Sequence, residues 1–542
     1  MDDLSPFETH RVHNQPPPFD PRDLWADDVV LREAVAREGG DAFVERLARY
    51  GVLAGDELYR LGFDANRDRP RLRTHDRSGQ RIDMVEFHPA YHRLMDAAKT
   101  HGVAGLSWHE PGPGAQVARA ALSYLHHQAE AGTSCPLTMT HAAVPVLQRE
   151  PALHAWAAKA AAPHYDPRDV PIAGKAGITL GMGMTEKQGG SDVRANATTA
   201  TPIDDGMYAL VGHKWFFSAP MCDGFLVLAQ AAAGLTCFLM PRRLDDGDKN
   251  AFRLIRLKDK LGDWANASSE VEFTGARAWR VGEEGRGVAT IIEMVMLTRL
   301  DCMLGSAAEM RMALAQALHH ARHRAAFGKP LVEQALMRNV LVDLVLESEA
   351  ATAFALRVAR AVDRAASDEG EAAFARVATA VGKYWICKRA PAFVNEAQEC
   401  LGGAGYVEES MLPRLYRQAP LNSIWEGSGN IQCLDVLRAL ARDAGVLDAV
   451  THELASAQGS DAVYDAFVVR LLNGLPATQE AEARLRVERL ALGLQAAVLL
   501  RAGSPAASLF VRSRLGGEHG LVFGTLPADA DAAPLLARAS PA

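Results

Sequence analysis

The chain has 542 residues, 48% hydrophobic and 23% charged, enough to bury a large core in about three or four domains. A net charge of −8 and a pI near 6.2 exclude a globally basic nucleic-acid-binding protein, so any DNA contact has to come from a local group of arginines. No apolar run approaches the roughly 20 residues that cross a bilayer. The acidic start Met1-Asp-Asp-Leu-Ser lacks a signal core. Seven scattered cysteines without a Cys-x-x-Cys pair argue against a disulfide framework or a zinc site, so no metal is expected, and they point to a cytoplasmic protein with reduced thiols.

Residues 1–27 read as an extended arm, because Pro16-Pro17-Pro18 hold a polyproline-like path and cannot lie inside a helix. Two readings of the arm stand: it packs on a neighbouring subunit, or it is a loose tail. The pattern is helical over 28–176, broken only by Gly105-Leu-Ser-Trp-His109 and Pro111-Gly-Pro113. Over 177–283 it changes. Short runs at Tyr208–Val211, Gly224–Ala229, Thr236–Met240 and Ser269–Phe273, separated by turns such as Asp205-Gly206 and Asp246-Gly247, predict an antiparallel β-domain. Helical periodicity returns over 284–442, and a further helical block fills 443–542.

Five stretches carry candidate chemistry. In Leu421–Ile431 a carboxylate, Glu426, stands between the indole of Trp425 and the flexible run Gly427-Ser428-Gly429-Asn430. Glycines let backbone amides approach a bound group, and Ser428 and Asn430 add hydrogen bonds. Ile431, Leu434, Val436, Leu437 and Leu440 then follow a helical pattern, so Glu426 lies on a loop entering a helix, where a plain cap is the other reading. Gly181-Met-Gly-Met-Thr-Glu-Lys-Gln-Gly-Gly-Ser-Asp-Val193 begins like a dinucleotide fingerprint. Its third glycine is Glu186 and no βαβ unit follows, which excludes that fold. Gly212-His-Lys-Trp-Phe-Phe-Ser218 is an aromatic strand, Arg324-Ala-Ala-Phe-Gly-Lys-Pro-Leu331 by itself a surface turn, and Glu399-Cys-Leu-Gly-Gly-Ala-Gly-Tyr406 a glycine-rich segment.

Together and in this order the five stretches resemble the acyl-CoA dehydrogenase family over roughly residues 80–442. The resemblance implies an α+β, mostly α fold: an N-terminal helical domain, a central β-domain and a C-terminal helical bundle, here with an extra helical domain. It also implies an FAD cofactor. Trp425-Glu426-Gly427-Ser428 resembles the family's Tyr-Glu-Gly-Thr, whose glutamate removes the α-proton of an acyl thioester. The branched-chain members carry their base just before an arginine, where this chain has Thr298-Arg299. That leaves Glu426 as the catalytic candidate.

By the same resemblance Thr185 bonds the flavin edge and Ser191 lies near the pyrophosphate, with Met184 and Gly190 in the same cofactor-binding stretch. Trp215, Phe216, Phe217 and Ser218 belong to the strand that lines the isoalloxazine. Arg324 reaches a partner subunit's FAD pyrophosphate, as a guanidinium fork suits phosphate oxygens. Phe327, Gly402, Gly403, Ser423, Ser428 and Asn430 complete the implied cofactor set. Glu399 stands where the family has glutamine, a departure beside a phosphate.

Finer details, among them Met-Thr-Glu-Lys-Gln-Gly-Gly-Ser-Asp and Lys-Trp-Phe-Phe-Ser, resemble the AidB branch of that family. That branch implies a homotetramer built as a dimer of dimers, protection of double-stranded DNA from alkylation without sequence preference, and weak isovaleryl-CoA dehydrogenase activity. The small-molecule partner is an acyl-CoA thioester or an alkylating agent. Trp425 and Arg194 suggest an altered substrate pocket. The alternative is a metabolic dehydrogenase with no DNA role.

The basic residues of the last block are all arginine, with Arg512 and Arg514 the first candidates for DNA contact. From charge alone the block reads as a solvated face with i,i+4 ion pairs. Its helix from about Thr478 shows a buried stripe of Val487, Leu490, Ala491, Leu494 and Val498, with Arg486 and Arg489 facing out.

Overall fold

The computed structural model describes residue 7 and residues 9–475 and 478–540. The arm folds onto its own chain. Nε2 of His319 donates to the Pro17 carbonyl at 2.8 Å, and the Phe19 ring sits edge-on against Tyr59 and His319.

Helices α1 (Val29–Glu38), α2 (Val44–Leu53) and α3 (Tyr59–Arg67) come next, then α4 (Pro89–His101), α5 (Leu106–His109), α6 (Ala115–Ala129), α7 (Ser134–Gln148) and α8 (His154–Ala161). Their ends follow local chemistry. Asp28 caps α1 by accepting from the Leu31 N–H, and Gly39 and Gly102 end α1 and α4 in the left-handed region. The continuous helical pattern expected over 28–176 is corrected by a hairpin, β1 (Arg71–His75) and β2 (Arg81–Glu86). Asp76 makes that turn: its Oδ1 accepts from the N–H groups of Ser78 and Gln80 at 2.8 and 2.9 Å.

The β-domain contains β3 (Leu180–Gly183), β4 (Thr199–Pro202), β5 (Met207–Ser218), β6 (Gly224–Ala231), β7 (Gly234–Pro241), β8 (Phe252–Leu257) and β9 (Ser268–Val281). Pairings run β4–β5–β9–β7–β6 and return to β4, closing a ring, with β3 beside β6 and β8 beside β9. The sheet is mixed, not purely antiparallel, because β3 and β4 both run parallel to β6. Phe217, Phe225, Phe238, Phe252 and Phe273 fill its interior.

Three long helices follow: α9 (Gly287–His323), α10 (Ala335–Arg364) and α11 (Glu369–Cys400). A two-residue hairpin, β10 (Ala325–Ala326) and β11 (Lys329–Pro330), separates α9 from α10. Next come α12 (Leu412–Gln418) and α13 (Gly429–Arg442), then α14 (Ala444–Ala455), α15 (Ala462–Gly474), α16 (Ala483–Arg501), α17 (Ala507–Phe510) and α18 (Ala533–Ala539).

The last block does not stand apart from the bundle. Leu471, Leu490, Leu494 and Val511 belong to one core with Leu346, Phe354 and Val381. In α16 every residue from Leu490 to Leu499 is buried, so the stripe read from the sequence holds for the first turns only and that later stretch is enclosed on all sides. Buried Arg357 ties α10 to both α11 and α14 through Glu371 and Glu453, each at 2.8 Å. No helix among the described residues is long and apolar enough to cross a membrane, and all seven cysteines are free and buried.

Candidate active site

Glu426 sits in the left-handed region at φ +57°, followed by Gly427 at +93°. For a residue with a side chain this conformation costs about 1–2 kcal/mol and persists only where the surroundings hold it. Three buried side chains do so. Lys383 Nζ, from α11, donates to the Trp425 carbonyl at 2.6 Å and to the Gly427 carbonyl. Arg299 Nε, from α9, donates to the Glu426 carbonyl at 3.0 Å. Gln432 Nε2, in the first turn of α13, reaches the carbonyls of Glu426 and Gly427 at 3.0 and 2.8 Å. A Cβ at position 427 would lie 2.8 Å from that Gln432 nitrogen, so glycine is required there on two counts.

The Glu426 carboxylate turns toward α9, where Thr298 Oγ1 donates to its Oε2 at 2.8 Å. Burial raises its pKa above the ordinary glutamate value, while Thr298, Lys383 and Arg299 act the other way. Trp425 anchors through Nε1 to Asn422 Oδ1 at 2.9 Å, and its ring packs on the β-domain core. Cys135, on α7, completes this corner and was missed from the sequence. Burial pushes its thiol up to about 12, so it stays neutral, and the Glu426 charge acts in the same direction. Nothing in its local sequence distinguishes it from the other six cysteines.

Trp215 and Phe216 form a bulge. Lys214 pairs with Val271 and Phe217 with Ser269, which leaves two residues opposite Glu270 alone. Lys214 and Phe217 both point inward, so the extra residue turns both aromatic rings to the outer face. Lys258 Nζ, held by Glu270 at 2.7 Å, lies 3.3 Å from the Trp215 ring centroid and 4.7 Å from that of Phe216. The cofactor role expected of Phe217 is corrected here: its ring is wholly buried, 4.3 Å from that of Phe225. Ser218 returns outward and shares a hydrogen bond with Ser268 at 3.1 Å.

The loop after β3 is stitched to this bulge, because the Trp215 N–H donates to the Thr185 carbonyl at 2.9 Å. Buried Glu186 pins the loop from beneath. Burial acts to raise its pKa, but Lys214, Thr198 and the Ala197 N–H bring the carboxyl down to about 2. Gly190 crosses so close that a Cβ there would meet the Thr185 hydroxyl at 2.4 Å. Met184 is half-buried, whereas Ser191 and Arg194 are exposed. Ser423 spends its hydroxyl on the Pro420 carbonyl at 2.9 Å, and Ser428 and Asn430 stand exposed at the start of α13.

Arg324, Phe327, Gly402 and Gly403 make up a second set of candidates in two places, the first two at the β10–β11 hairpin and the glycines just past α11. No hydrogen bond or ion pair joins it to the first among the described residues. Phe327, at φ +49°, is fully exposed at the tip of the β10–β11 hairpin, and Arg324 has no carboxylate partner among the described residues. Gly402, at φ +59°, and Gly403 present bare backbone with no atom near their missing side chains. Outward aromatic rings, an uncompensated guanidinium and open glycine backbone fit a flat ring system carrying a diphosphate, so these residues suit FAD. Glu399 faces solvent, and Gln398 turns in instead to bind the Gly405 carbonyl at 2.9 Å.

The two arginines expected at DNA are corrected. Arg514 is buried and pairs with Asp343 and, at 3.3 Å, with Glu347, both on α10. Arg512 is half-buried between Glu518 at 2.8 Å and Asp529 at 3.1 Å. Their charges serve the attachment and internal order of the last block.

Three family models match the chain: the adaptive response protein AidB N-terminal domain over 14–167, the acyl-CoA dehydrogenase middle domain over 181–276 and the acyl-CoA dehydrogenase C-terminal domain over 285–441. The putative acyl-CoA dehydrogenase AidB of Escherichia coli (strain K12) is 49% identical over 520 residues, covering 95% of this chain and 96% of that one. The acyl-CoA dehydrogenase family member 11 of Caenorhabditis elegans is 31% identical over 78% of this chain and 71% of its own. The crystal structure of C. elegans ACDH-11 in complex with C11-CoA superposes with a TM-score of 0.85 at 26% identity, covering 94% of this chain and 93% of that one.

Proposed function

The chain belongs to the acyl-CoA dehydrogenase family, in its AidB branch, and from that premise we propose that it oxidises acyl thioesters of coenzyme A with Glu426 as the base. It is an FAD-dependent oxidoreductase. The observation that carries the assignment of the base is the clamp on Glu426: a strained backbone held by Lys383, Arg299 and Gln432, with its carboxylate on Thr298.

When bound, FAD supplies the hydride acceptor. We assign its ring to Thr185, Trp215, Phe216 and Ser218, with Met184, Gly190 and Ser191 in the adjoining loop, and the diphosphate of the FAD bound by the partner subunit to Arg324, Phe327, Gly402 and Gly403. Glu426 takes the α-proton on its carboxylate, and its raised pKa makes it a stronger base than a solvated glutamate. The Glu426 N–H has no acceptor among the described residues and is free to polarise a thioester carbonyl. The neutral thiol of Cys135 adds no competing charge beside the carboxylate.

The C11-CoA bound by the C. elegans relative supports an acyl chain of that length as substrate, alongside the branched isovaleryl group that the branch implies. The test is anaerobic mixing of the FAD-loaded protein with each acyl-CoA while flavin absorbance is followed. Glu426→Gln is expected to slow reduction by roughly 10²–10⁴-fold, and an unchanged rate would rule Glu426 out as the base.

A second reading, protection of duplex DNA from alkylation by a cytoplasmic homotetramer, keeps its place but moves its contacts. Arg438 and Arg442 on α13, Arg470 on α15 and Arg489 on α16 are exposed and have no carboxylate partner among the described residues. Both α13 and α15 pack on α16, which brings the four arginines onto neighbouring helices. Contacts limited to phosphates give a log–log salt slope of about −0.9 per phosphate neutralised. Replacing all four with alanine is expected to weaken binding to unrelated duplexes equally and flatten that slope. Light scattering of the flavinylated protein tests the tetramer.

A further inference from the structure

The arm meets the second group of candidate cofactor residues at one point. Asn14 takes the left-handed conformation at φ +57°, which asparagine tolerates better than most residues. Its carboxamide pairs both ways with the backbone of Ala325: Oδ1 accepts from the N–H at 2.7 Å and Nδ2 donates to the carbonyl at 2.9 Å. Its own carbonyl accepts from Arg324 Nη1 at 2.7 Å. One residue therefore grips both the guanidinium and the strand that follows it.

The kind of acceptor matters. A carboxylate beside Arg324 would orient it and cancel its charge, as Glu518 and Asp529 do for Arg512. A backbone carbonyl orients one nitrogen and leaves the cation and the rest of the fork for an anion. The arm is itself fixed upstream of α9's end by the bond from His319 to Pro17 and by stiff Pro16-Pro17-Pro18. Asn14 is thus held independently of the hairpin it grips.

We propose that Asn14 is a positioning residue for the flavin diphosphate, acting through Arg324, so that retention of FAD depends on the N-terminal arm. This rests on the assignment of Arg324 to that diphosphate. Asparagine meets three needs at once: an acceptor and a donor at the length that spans Ala325, and a left-handed backbone that aims the carbonyl. Alanine loses the first two and strains the third. Glycine keeps the backbone and its carbonyl but not the carboxamide.

Equilibrium FAD affinity, read by quenching of flavin fluorescence on titration into apoprotein, tests the proposal in N14A, N14G, R324A and the double variant N14A/R324A. N14A is expected to bind FAD roughly tenfold more weakly, N14G to fall between N14A and the native protein, and the double variant to match R324A. A purely structural role for the arm would add its loss to that of R324A. R324A weakened while N14A binds FAD normally, or additive losses in the double variant, would overturn the proposal. Native affinity in R324A would overturn the assignment of Arg324 and the proposal with it. A thermal melt of each apoprotein separates unfolding from loss of the site.

Discussion

Thr298 Oγ1 lies 2.8 Å from Glu426 Oε2 and 3.0 Å from the Val295 carbonyl, so one hydroxyl proton has two acceptors. With Glu426 ionised the proton serves the carboxylate. With Glu426 protonated, the hydroxyl can accept from the acid and donate to Val295. Thr298 therefore stays hydrogen-bonded in both protonation states of Glu426.

A pH prediction follows from that geometry. Burial holds the Glu426 pKa above its ordinary value and Thr298 pulls it down. The base form accumulates as pH rises through that raised value, so the rate of acyl-CoA-dependent flavin reduction climbs with pH. Thr298→Val removes a donor to the charged form, worth about 1.5–3 kcal/mol. The midpoint of the pH–rate profile is expected to move upward by roughly one to two units, while Thr298→Ser stays near the native value. A midpoint in the valine variant that is unmoved or lower would contradict this account.

Among the described residues Lys383 is the single side chain bonded to the carbonyls on both sides of Glu426. Lys383→Met leaves the Trp425 carbonyl without this donor, and Gln432 covers only that of Gly427. A buried acceptor left unpaired costs about 1–3 kcal/mol. The expected result is a lower melting temperature together with slow flavin reduction, and reduction at the native rate would show that the clamp does not place the base.

Arg514→Ala is expected to destabilise the protein and leave DNA binding alone. The substitution takes one partner from each of Asp343 and Glu347, both buried on α10, and leaves Asp343 with His519 at 2.8 Å and Glu347 with Arg389 at 3.1 Å. Losing a hydrogen bond to a charged group costs about 1.5–3 kcal/mol, which chemical denaturation can read. Weaker duplex binding with unchanged stability would restore Arg514 to the DNA face.

Gly190→Ala tests the loop beneath the proposed flavin edge. The added carbon would stand 2.4 Å from the Thr185 hydroxyl, so that side chain or the loop has to move. FAD affinity is expected to fall by about tenfold or more, the worth of one displaced hydrogen bond to the ligand. Native affinity would mean that the Thr185 hydroxyl takes no part in holding FAD.

What the sequence determined by itself is local. The loop Trp425-Glu426-Gly427 and the stretch Met184–Ser191 stand out because a left-handed turn and a close hairpin each need particular residues side by side. The succession of helices, strands and helices is legible for a similar reason, since the period of the apolar residues changes along the chain. What the tertiary structure decided depends on partners far away in sequence or on small shifts of register. Phe217 reads as one more aromatic of its strand until the bulge at Trp215-Phe216 turns it inward. Arg512 and Arg514 read as free charges because Asp343 and Glu347 lie more than 160 residues upstream and Asp529 lies beyond a loop. Asn14 reads as one polar residue in a proline-rich arm, and only folding brings it across 310 residues to Arg324. Backbone preference acts within a few residues, whereas ion pairs and hydrogen bonds act across whatever distance in sequence the fold has closed.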